Sequence, residues 1–216
     1  MSFNNLKIKV CGMRDAVNIE AVDGLGIDMM GFIFYAKSSR DIESQAVEFK
    51  KHPNVSQLNV QRVGVFVNAE ISFLLEKVGA YFLNYVQLHG DESVDYCQNL
   101  KSVWPTIKII KAFSVNANFD FEQTKPYEPF CDLFLFDTKG ENRGGNGVKF
   151  DWQILNKYQG MRPFLLSGGI GVDDGSEIKN LDLKMLYGVD VNSGFENAPA
   201  LKNVDNLKYF IGQLKS

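Results

Sequence analysis

The sequence predicts an α/β protein with the (β/α)8-barrel fold, in which eight parallel strands alternate with helices. Short apolar segments rich in β-branched and aromatic residues alternate eight times with amphipathic segments along the 216 residues. Such alternation indicates right-handed βαβ units and a parallel sheet, and eight units match a closed barrel. The turn at residues 11–15 lacks the GxGxxG pattern of a dinucleotide-binding open sheet. An open sheet is therefore the second structural hypothesis.

The predicted strands share short apolar runs bounded by turn residues. They are expected at 6–11, 30–34, 61–67, 81–88, 107–113, 133–137, 163–167 and 186–192. Helices are expected at 15–24, 44–51, 70–78, 92–101, 173–180 and 203–214, with a further one opened by Asp151 and Trp152. The polar segment after the fifth strand contains Pro126 and Pro129, so its helix is expected to be weak or missing. No linker interrupts the pattern, and a single domain over residues 1–216 is expected.

Composition excludes several classes of partner. The formal net charge is −3 and no basic run is present, so neither nucleic acid nor an anionic membrane surface is expected to bind. No apolar run approaches the roughly 20 residues needed to span a bilayer, and the first residues do not resemble a signal peptide.

The cysteine and histidine content points to a reduced, metal-free protein. Cys11, Cys97 and Cys131 lie far apart and in no CxxC pattern, which argues against a disulfide framework or a zinc site. With only two histidines, a multi-histidine metal centre is not expected. We therefore predict a cytoplasmic protein without a metal ion.

Candidate functional residues follow from one rule of this fold. Polar side chains at the carboxyl ends of barrel strands point into the active-site mouth. The rule selects Cys11, Arg40, Gln87, His89, Asp137, Gly145, Gly147, Gly168, Gly169, Ser193 and Gly194.

Glycine turns after the seventh and eighth strands predict a phosphate site. Gly168 with Gly169, and Ser193 with Gly194, would expose backbone N–H groups where this fold commonly binds phosphate. The alternative is that these glycines only serve tight turns. The loop glycines Gly145 and Gly147 would add donors, although a plain flexible loop explains them nearly as well.

Asp137 and Cys11 are the candidate acid and base. Asp137 ends an apolar strand, and partial desolvation favours the protonated carboxyl that a general acid needs. Cys11 ends the first strand, and its thiolate would be basic. Asp137 could instead cap the following loop, and Cys11 could be an inert buried side chain, as Cys97 and Cys131 are expected to be.

Other polar residues leave two interpretations open. Arg40 could hold a carboxylate with its planar fork, or be a solvated loop residue. His89 could contact substrate, or be satisfied within a turn. Lys108 and Lys111 on the fifth strand are candidates for Schiff-base lysines, whereas Lys9 is interpreted as an ordinary residue of the first strand.

The ordered motifs resemble those of the phosphoribosylanthranilate isomerase family. The matching segments are K-V-C-G-M-R (9–14), G-F-I-F-Y-A-K-S-S-R (31–40), V-G-V-F-V-N (63–68), V-Q-L-H-G-D-E (86–92), F-D-T (136–138), G-G-N-G (144–147), F-D-W (150–152), L-S-G-G-I (166–170) and V-D-V-N-S-G-F-E (189–196). They cover every predicted strand except the fifth. Two departures are visible: Asn146 stands where the family usually has Thr or Ser, and Ala36 replaces a common proline.

The resemblance implies an enzyme of tryptophan biosynthesis. Its reaction is the Amadori rearrangement of N-(5-phosphoribosyl)anthranilate to 1-(2-carboxyphenylamino)-1-deoxyribulose 5-phosphate, with Asp137 as general acid and Cys11 as general base. Arg40 would hold the anthranilate carboxylate, while Gln87 and His89 would also contact the substrate. The expected partner is this small phosphorylated substrate alone, with no cofactor, on a monomer or homodimer.

Three alternatives remain at this point. A histidine-pathway aminoaldose isomerase performs the same rearrangement on this fold, but that family has aspartate where Cys11 stands and two phosphate sites. An aldolase would need a strand lysine of depressed pKa. A non-catalytic phosphate-ligand-binding barrel would lack turnover altogether.

Overall fold

Eight parallel strands close into a barrel in their order along the chain, and the eighth pairs with the first. The computed structural model describes residues 6–45, 58–138 and 151–216. The barrel strands are β1 (Lys7–Val10), β2 (Met29–Phe34), β3 (Gln61–Phe66), β4 (Tyr85–Leu88), β5 (Lys108–Val115), β6 (Leu133–Thr138), β7 (Phe164–Ser167) and β8 (Leu186–Val191). The predicted (β/α)8 barrel is confirmed, and the open sheet is excluded.

Helices connect the strands on the outside of the barrel. The α-helices of the described residues are α1 (Ala16–Asp23), α2 (Ile71–Ala80), α3 (Val94–Val103), α4 (Gly175–Lys179) and α5 (Val204–Lys215). Short 3-10 helices span Ile42–Gln45, Phe121–Tyr127, Trp152–Lys157 and Ser193–Phe195. Among these described segments, no helix is long and apolar enough to cross a membrane.

The connection after β5 has no α-helix, as the sequence predicts. A 3-10 helix at Phe121–Tyr127 takes its place, opened by Asp120, whose side chain accepts a hydrogen bond from the backbone N–H of Glu122. Pro126 lies inside this helix and has no N–H to donate. In the described part of the connection after β6, a 3-10 helix spans Trp152–Lys157, with Asp151 at its start as predicted.

Several predicted boundaries are wrong. The fourth strand begins at Tyr85, not at Tyr81, because Tyr81 still donates its N–H to Lys77 at the end of α2. The helix expected at 173–180 is the shorter α4. Of the helix expected at 44–51, residues 44 and 45 belong to a 3-10 helix and the rest lie outside the described residues.

A small antiparallel hairpin follows β8 and was not predicted. It consists of β9 (Glu196–Ala198) and β10 (Leu201–Lys202). Ala200 turns between these strands with a positive φ of 67°. The hairpin carries two charged side chains, Glu196 and Lys202, to the carboxyl end of the barrel.

The hydrophobic core has two layers, one on each side of the strands. Residues alternate between the layers along β6, where Phe134 and Phe136 pack outward and Leu133 and Leu135 pack into the barrel. The interior layer consists of Met29, Val63, Tyr85, Ile110, Ala112, Leu133, Leu135 and Leu165. This apolar plug fills the barrel, so a ligand has room only at the ends of the strands.

Phe136 lies at the centre of an aromatic cluster in the outer layer. Its ring centroid is 4.9 Å from that of Phe164, 5.1 Å from Tyr158 and 5.5 Å from Phe121. The cluster anchors the 3-10 helices after β5 and β6 to the sheet, where α-helices would otherwise pack.

We predict that Phe136→Ala lowers the free energy of unfolding by about 3–5 kcal/mol, because a large fully buried ring leaves a cavity. Tyr209→Ala on α5 is the matched control, since its ring is 56% exposed. Urea denaturation measures both. A loss below ~1 kcal/mol for Phe136→Ala would contradict this account of the core.

Candidate active site

A cavity of about 530 Å³ opens at the carboxyl end of the barrel. Its lining comes from β2, β3, β4, β6, β7 and β8, from the loops that follow most of them, and from Cys11 directly after β1. It contains nine predicted site residues: Cys11, Arg40, Gln87, His89, Asp137, Gly168, Gly169, Ser193 and Gly194. The other two, Gly145 and Gly147, lie outside the described residues.

Cys11 lies directly after β1 at the edge of this cavity. Its backbone N–H donates to the carbonyl of Val191, which continues the β1–β8 ladder by one step. On β2, a Cβ at Gly31 would lie 2.8 Å from the Cys11 Sγ, so the glycine makes room for the thiol. The residue is 4% exposed, and this burial raises the pKa of its thiol.

Lys9 is not an ordinary strand residue, and its interpretation from sequence is wrong. It is fully buried, and its Nζ lies 2.8 Å from Oδ1 of Asp190, its register partner on β8. Burial alone would lower the pKa of Lys9, but the negative charges of Asp190 and of an ionised Cys11 outweigh it, so that pKa is raised. The floor of the site therefore holds a charged ion pair.

Asp137 ends the run of interior residues on β6 and begins a chain of three polar side chains. Its carboxyl group is 22% exposed, and Oδ2 lies 3.9 Å from Nε2 of His89. Nδ1 of His89 lies 2.8 Å from the Gln87 amide nitrogen. If that amide donates, Nδ1 accepts and the ring proton is on Nε2, facing Asp137.

Gln87 supplies a free acceptor at the cavity wall. Its Oε1 is buried and has no hydrogen-bond partner among the described residues. Since a buried carbonyl oxygen is stabilised when it accepts a hydrogen bond, this atom fits a donor on a ligand.

Arg40 is held by an acidic residue that the sequence reasoning did not select. Both oxygens of Glu196 accept from its Nε, at 2.9 and 3.0 Å, and Nη2 lies 2.5 Å from Oε2. Arg40 also lines the cavity. Arg40 is therefore fixed by an ion pair and still lies at the cavity, so it is not a freely solvated loop residue.

A buried ammonium completes the Arg40–Glu196 pair. Lys202 Nζ lies 2.5 Å from Oε1 of Glu196 and 2.7 Å from Oδ1 of Asn192. Burial of Glu196 would raise its pKa, but Arg40 and Lys202 outweigh that effect and lower it. Burial lowers the pKa of Lys202 despite its bond to Glu196.

The turn after β7 presents backbone donors to the cavity. Gly168 and Gly169 have φ values of +91° and +67°, and a Cβ at Gly168 would lie 2.1 Å from the Thr138 carbonyl oxygen. Within the described part of the chain, no group accepts a hydrogen bond from the N–H of Gly168, Gly169 or Ile170. The turn thus offers unpaired amides beside Ser193 and Gly194.

A second cavity of about 630 Å³ lies at the mouth beside β3, β4 and β5. Two backbone N–H groups there already donate to a side chain of the protein. The backbone N–H groups of Asn68 and Gly90 donate to the Glu92 carboxylate at 2.8 and 3.0 Å, and Lys111 Nζ lies 3.2 Å from it. A second phosphate, as the histidine-pathway alternative needs, would compete with this internal carboxylate.

The lysines of β5 do not fit a Schiff-base site. Lys111 alternates with the interior residues Ile110 and Ala112, so its side chain leaves the barrel and pairs with Glu92. Lys108 is the first residue of β5, at the end opposite the mouth. The aldolase hypothesis therefore loses both of its candidate lysines.

The fold and the cavity define a (β/α)8-barrel protein with a polar, amide-lined cavity at the carboxyl ends of its strands. Residues 8–213 match the family model described as N-(5'phosphoribosyl)anthranilate (PRA) isomerase. The chain belongs to that family.

Individual relatives agree over nearly the whole chain. An N-(5'-phosphoribosyl)anthranilate isomerase from Parabacteroides distasonis is 47% identical over 96% of this chain and 92% of its own. The crystal structure of phosphoribosyl anthranilate isomerase from Thermotoga maritima matches with a TM-score of 0.83 and 34% identity, covering 97% of this chain and 98% of its own. A phosphoribosyl anthranilate isomerase in complex with reduced 1-(o-carboxyphenylamino)-1-deoxyribulose 5-phosphate matches with a TM-score of 0.78 and 31% identity over 97% and 98%.

We predict that Glu196→Gln destabilises the protein by about 3 kcal/mol at pH 7, because Arg40 and Lys202 lose their shared counter-charge. The folded-state pKa of Glu196 is lowered, so its contribution is fully present at neutral pH and is lost as pH falls through that pKa. Urea denaturation from pH 7 downward should therefore show the two proteins converging in acid.

Glu122→Gln is the control, since the Glu122–Lys125 pair is exposed. It should match the parent protein at every pH. A Glu196→Gln difference that stays constant down to strongly acidic pH would show that the carboxylate charge is not what stabilises the network.

Proposed function

We propose that this chain catalyses the Amadori rearrangement of N-(5'-phosphoribosyl)anthranilate, the isomerisation step of tryptophan biosynthesis, with Cys11 as base and Asp137 as acid. Its family membership supports the reaction. The observation that carries the assignment of roles is that the Cys11 thiol and the Asp137 carboxyl line one cavity, although 126 residues separate them (137 − 11).

The two charged ends of the substrate fit different residues of the cavity. The unpaired amides of Gly168 and Gly169, with Ser193 and Gly194, suit the phosphate. Arg40 suits the anthranilate carboxylate, because Glu196 engages only its Nε and Nη2 and thereby orients Nη1. Anchoring both ends would place the sugar carbons between acid and base.

The acid step opens the sugar ring. Asp137 gives its proton to the ring oxygen as the bond from that oxygen to C1 breaks, and the nitrogen lone pair forms an iminium at C1. His89, 3.9 Å from the Asp137 carboxyl, is placed to contact the sugar or the C4 hydroxyl formed when the ring opens.

The base step moves the double bond from C1–N to C1–C2 of the opened sugar. Cys11 as thiolate takes the C2 proton, the electron pair of the C2–H bond forms the C1–C2 double bond, and the π electrons of the iminium move to nitrogen, which becomes neutral. The enolamine then becomes the ketone as C1 is protonated and the C2 hydroxyl loses its proton. The Gln87 Oε1 acceptor fits a sugar hydroxyl during these steps. No electron leaves or enters, so the residues present account for the chemistry.

We propose a reducing, cytoplasmic setting for this activity. Three free cysteines suit a reducing cytoplasm. A single domain spanning residues 1–216, acting as a monomer or a homodimer on one small phosphorylated substrate, agrees with the closed barrel.

A fluorescence assay tests the activity. Consumption of N-(5'-phosphoribosyl)anthranilate changes the anthranilate fluorescence, and purified protein should accelerate that change with saturation kinetics. A protein that binds the reduced product analogue but never turns over the substrate would instead be a phosphate-ligand-binding barrel.

We predict that Cys11→Ala and Asp137→Asn each lower kcat/KM by about 10²–10⁴-fold, because each removes a proton-transfer group. Cys97→Ala is the matched control, since this buried thiol on α3 is absent from the cavity lining. The assay is the fluorescence change with each variant. Full turnover by Cys11→Ala would overturn the assignment of the base.

A further inference from the structure

A buried cation lies beneath the thiol that the mechanism uses as a base. We propose that Lys9 is a positioning residue that stabilises the Cys11 thiolate, and that Asp190 holds the lysine in place. The inference rests on the proposed role of Cys11, but its decisive measurement needs no substrate.

Strand geometry places Lys9 and Cys11 side by side. Residues two apart on a strand point to the same face, and Cys11 faces the cavity from the barrel interior. Lys9 therefore points into the barrel one layer below the thiol. It has no exposed surface, so its ammonium is not free to move out to water.

Asp190 fixes the direction of that ammonium. It sits opposite Lys9 in the β1–β8 register, and its Oδ1 lies 2.8 Å from Nζ. Its other oxygen lies 3.5 Å from Oγ of Ser167 on β7. Since an ammonium has three donors, one bond to Asp190 leaves others for the neighbouring sulfur.

The charges around the thiol decide how readily it ionises. Burial has the largest effect and raises the pKa of Cys11, while the Lys9 ammonium gives the largest opposing effect. Asp190 on β8 raises that pKa by less than Lys9 lowers it, and Lys202 on β10 lowers it further. Arg40, after β2, also interacts with the ionised thiol. Lys9 is thus the main group that offsets desolvation.

A neutral isostere of the lysine chain tests this role. Lys9→Met should raise the pH midpoint of Cys11 alkylation by iodoacetamide by about 1 unit, since a near opposite charge shifts a pKa by about 1–3 units. The rate at pH 7 should fall about tenfold. Mass spectrometry of the peptide containing Cys11 separates its reaction from those of Cys97 and Cys131.

Lys7→Met is the matched control on the same strand. Lys7 also points inward, but its side chain is 37% exposed and its Nζ pairs with Asp28 at 2.7 Å. It lies four residues before Cys11, at the start of β1. The Lys7→Met variant should alkylate with the pH midpoint of the parent protein. Lys9→Arg, which keeps the positive charge, should return the midpoint most of the way to the parent value.

Kinetics then connect the thiol to turnover. In Lys9→Met, the ascending limb of the plot of kcat/KM against pH should move to higher pH by the same amount as the alkylation midpoint, and KM should change little. A lysine that only supported the fold would lower kcat/KM at all pH values without moving the limb, and that result would overturn the proposal.

A double variant separates the loss of the Lys9 charge from misfolding caused by an unpaired buried carboxylate. Lys9→Met leaves Asp190 buried without its counter-charge, so Lys9→Met/Asp190→Asn removes both charges. Its alkylation midpoint should still lie above that of the parent protein, though by less. An unchanged midpoint in both variants would overturn the role of Lys9. If the midpoint shifts but the parent protein has no isomerase activity, the proposed function fails and the inference about the thiol stands.

Discussion

Burial of the thiol after β1 sets the main constraint on this site. A base at the mouth of a barrel has to be sheltered from water, yet shelter disfavours the charged form that accepts a proton. Cys11 is 4% exposed, and burial raises its pKa. The ammonium of Lys9 has the largest opposing effect on that pKa, and Asp190, 181 residues further along the chain on β8, holds the ammonium at 2.8 Å. Closure of the barrel is what brings that pair under the thiol.

The two sides of the mouth differ in whether their backbone amides are free to bind an anion. After β7 the amides of the turn are unpaired among the described residues and belong to residues that line the cavity, whereas after β3 and β4 the amides of Asn68 and Gly90 are bound to the carboxylate of Glu92. Lys111 neutralises that internal carboxylate. One side therefore keeps backbone donors available and the other is already occupied by a carboxylate, in agreement with the proposed substrate, which carries a single phosphate.

Part of this site could be predicted from the sequence and part could not. The rule that polar residues follow barrel strands selects Cys11 and Asp137 because strand order and side-chain alternation are local properties. Lys9 and Glu196 acquire their roles from partners distant in sequence, since Asp190 lies 181 residues after Lys9 and Glu196 lies 156 residues after Arg40. Lys202 joins this network through its bond to Glu196. The position of Lys9 two residues before Cys11 on the same strand is the sequence signal that indicates its inward direction. The predicted start of β4 is wrong because the apolar residues 81–83 lie in the turn after α2.

A crystal structure of this protein with the reduced product analogue bound tests the central claim most directly. The account predicts Sγ of Cys11 within about 3.5 Å of C2 of the sugar chain, and the Asp137 carboxyl beside the oxygen released from the opened ring. The phosphate should contact the amides after β7. A complex with C2 turned away from Cys11, or with the sugar outside the cavity shared by Cys11 and Asp137, would contradict it.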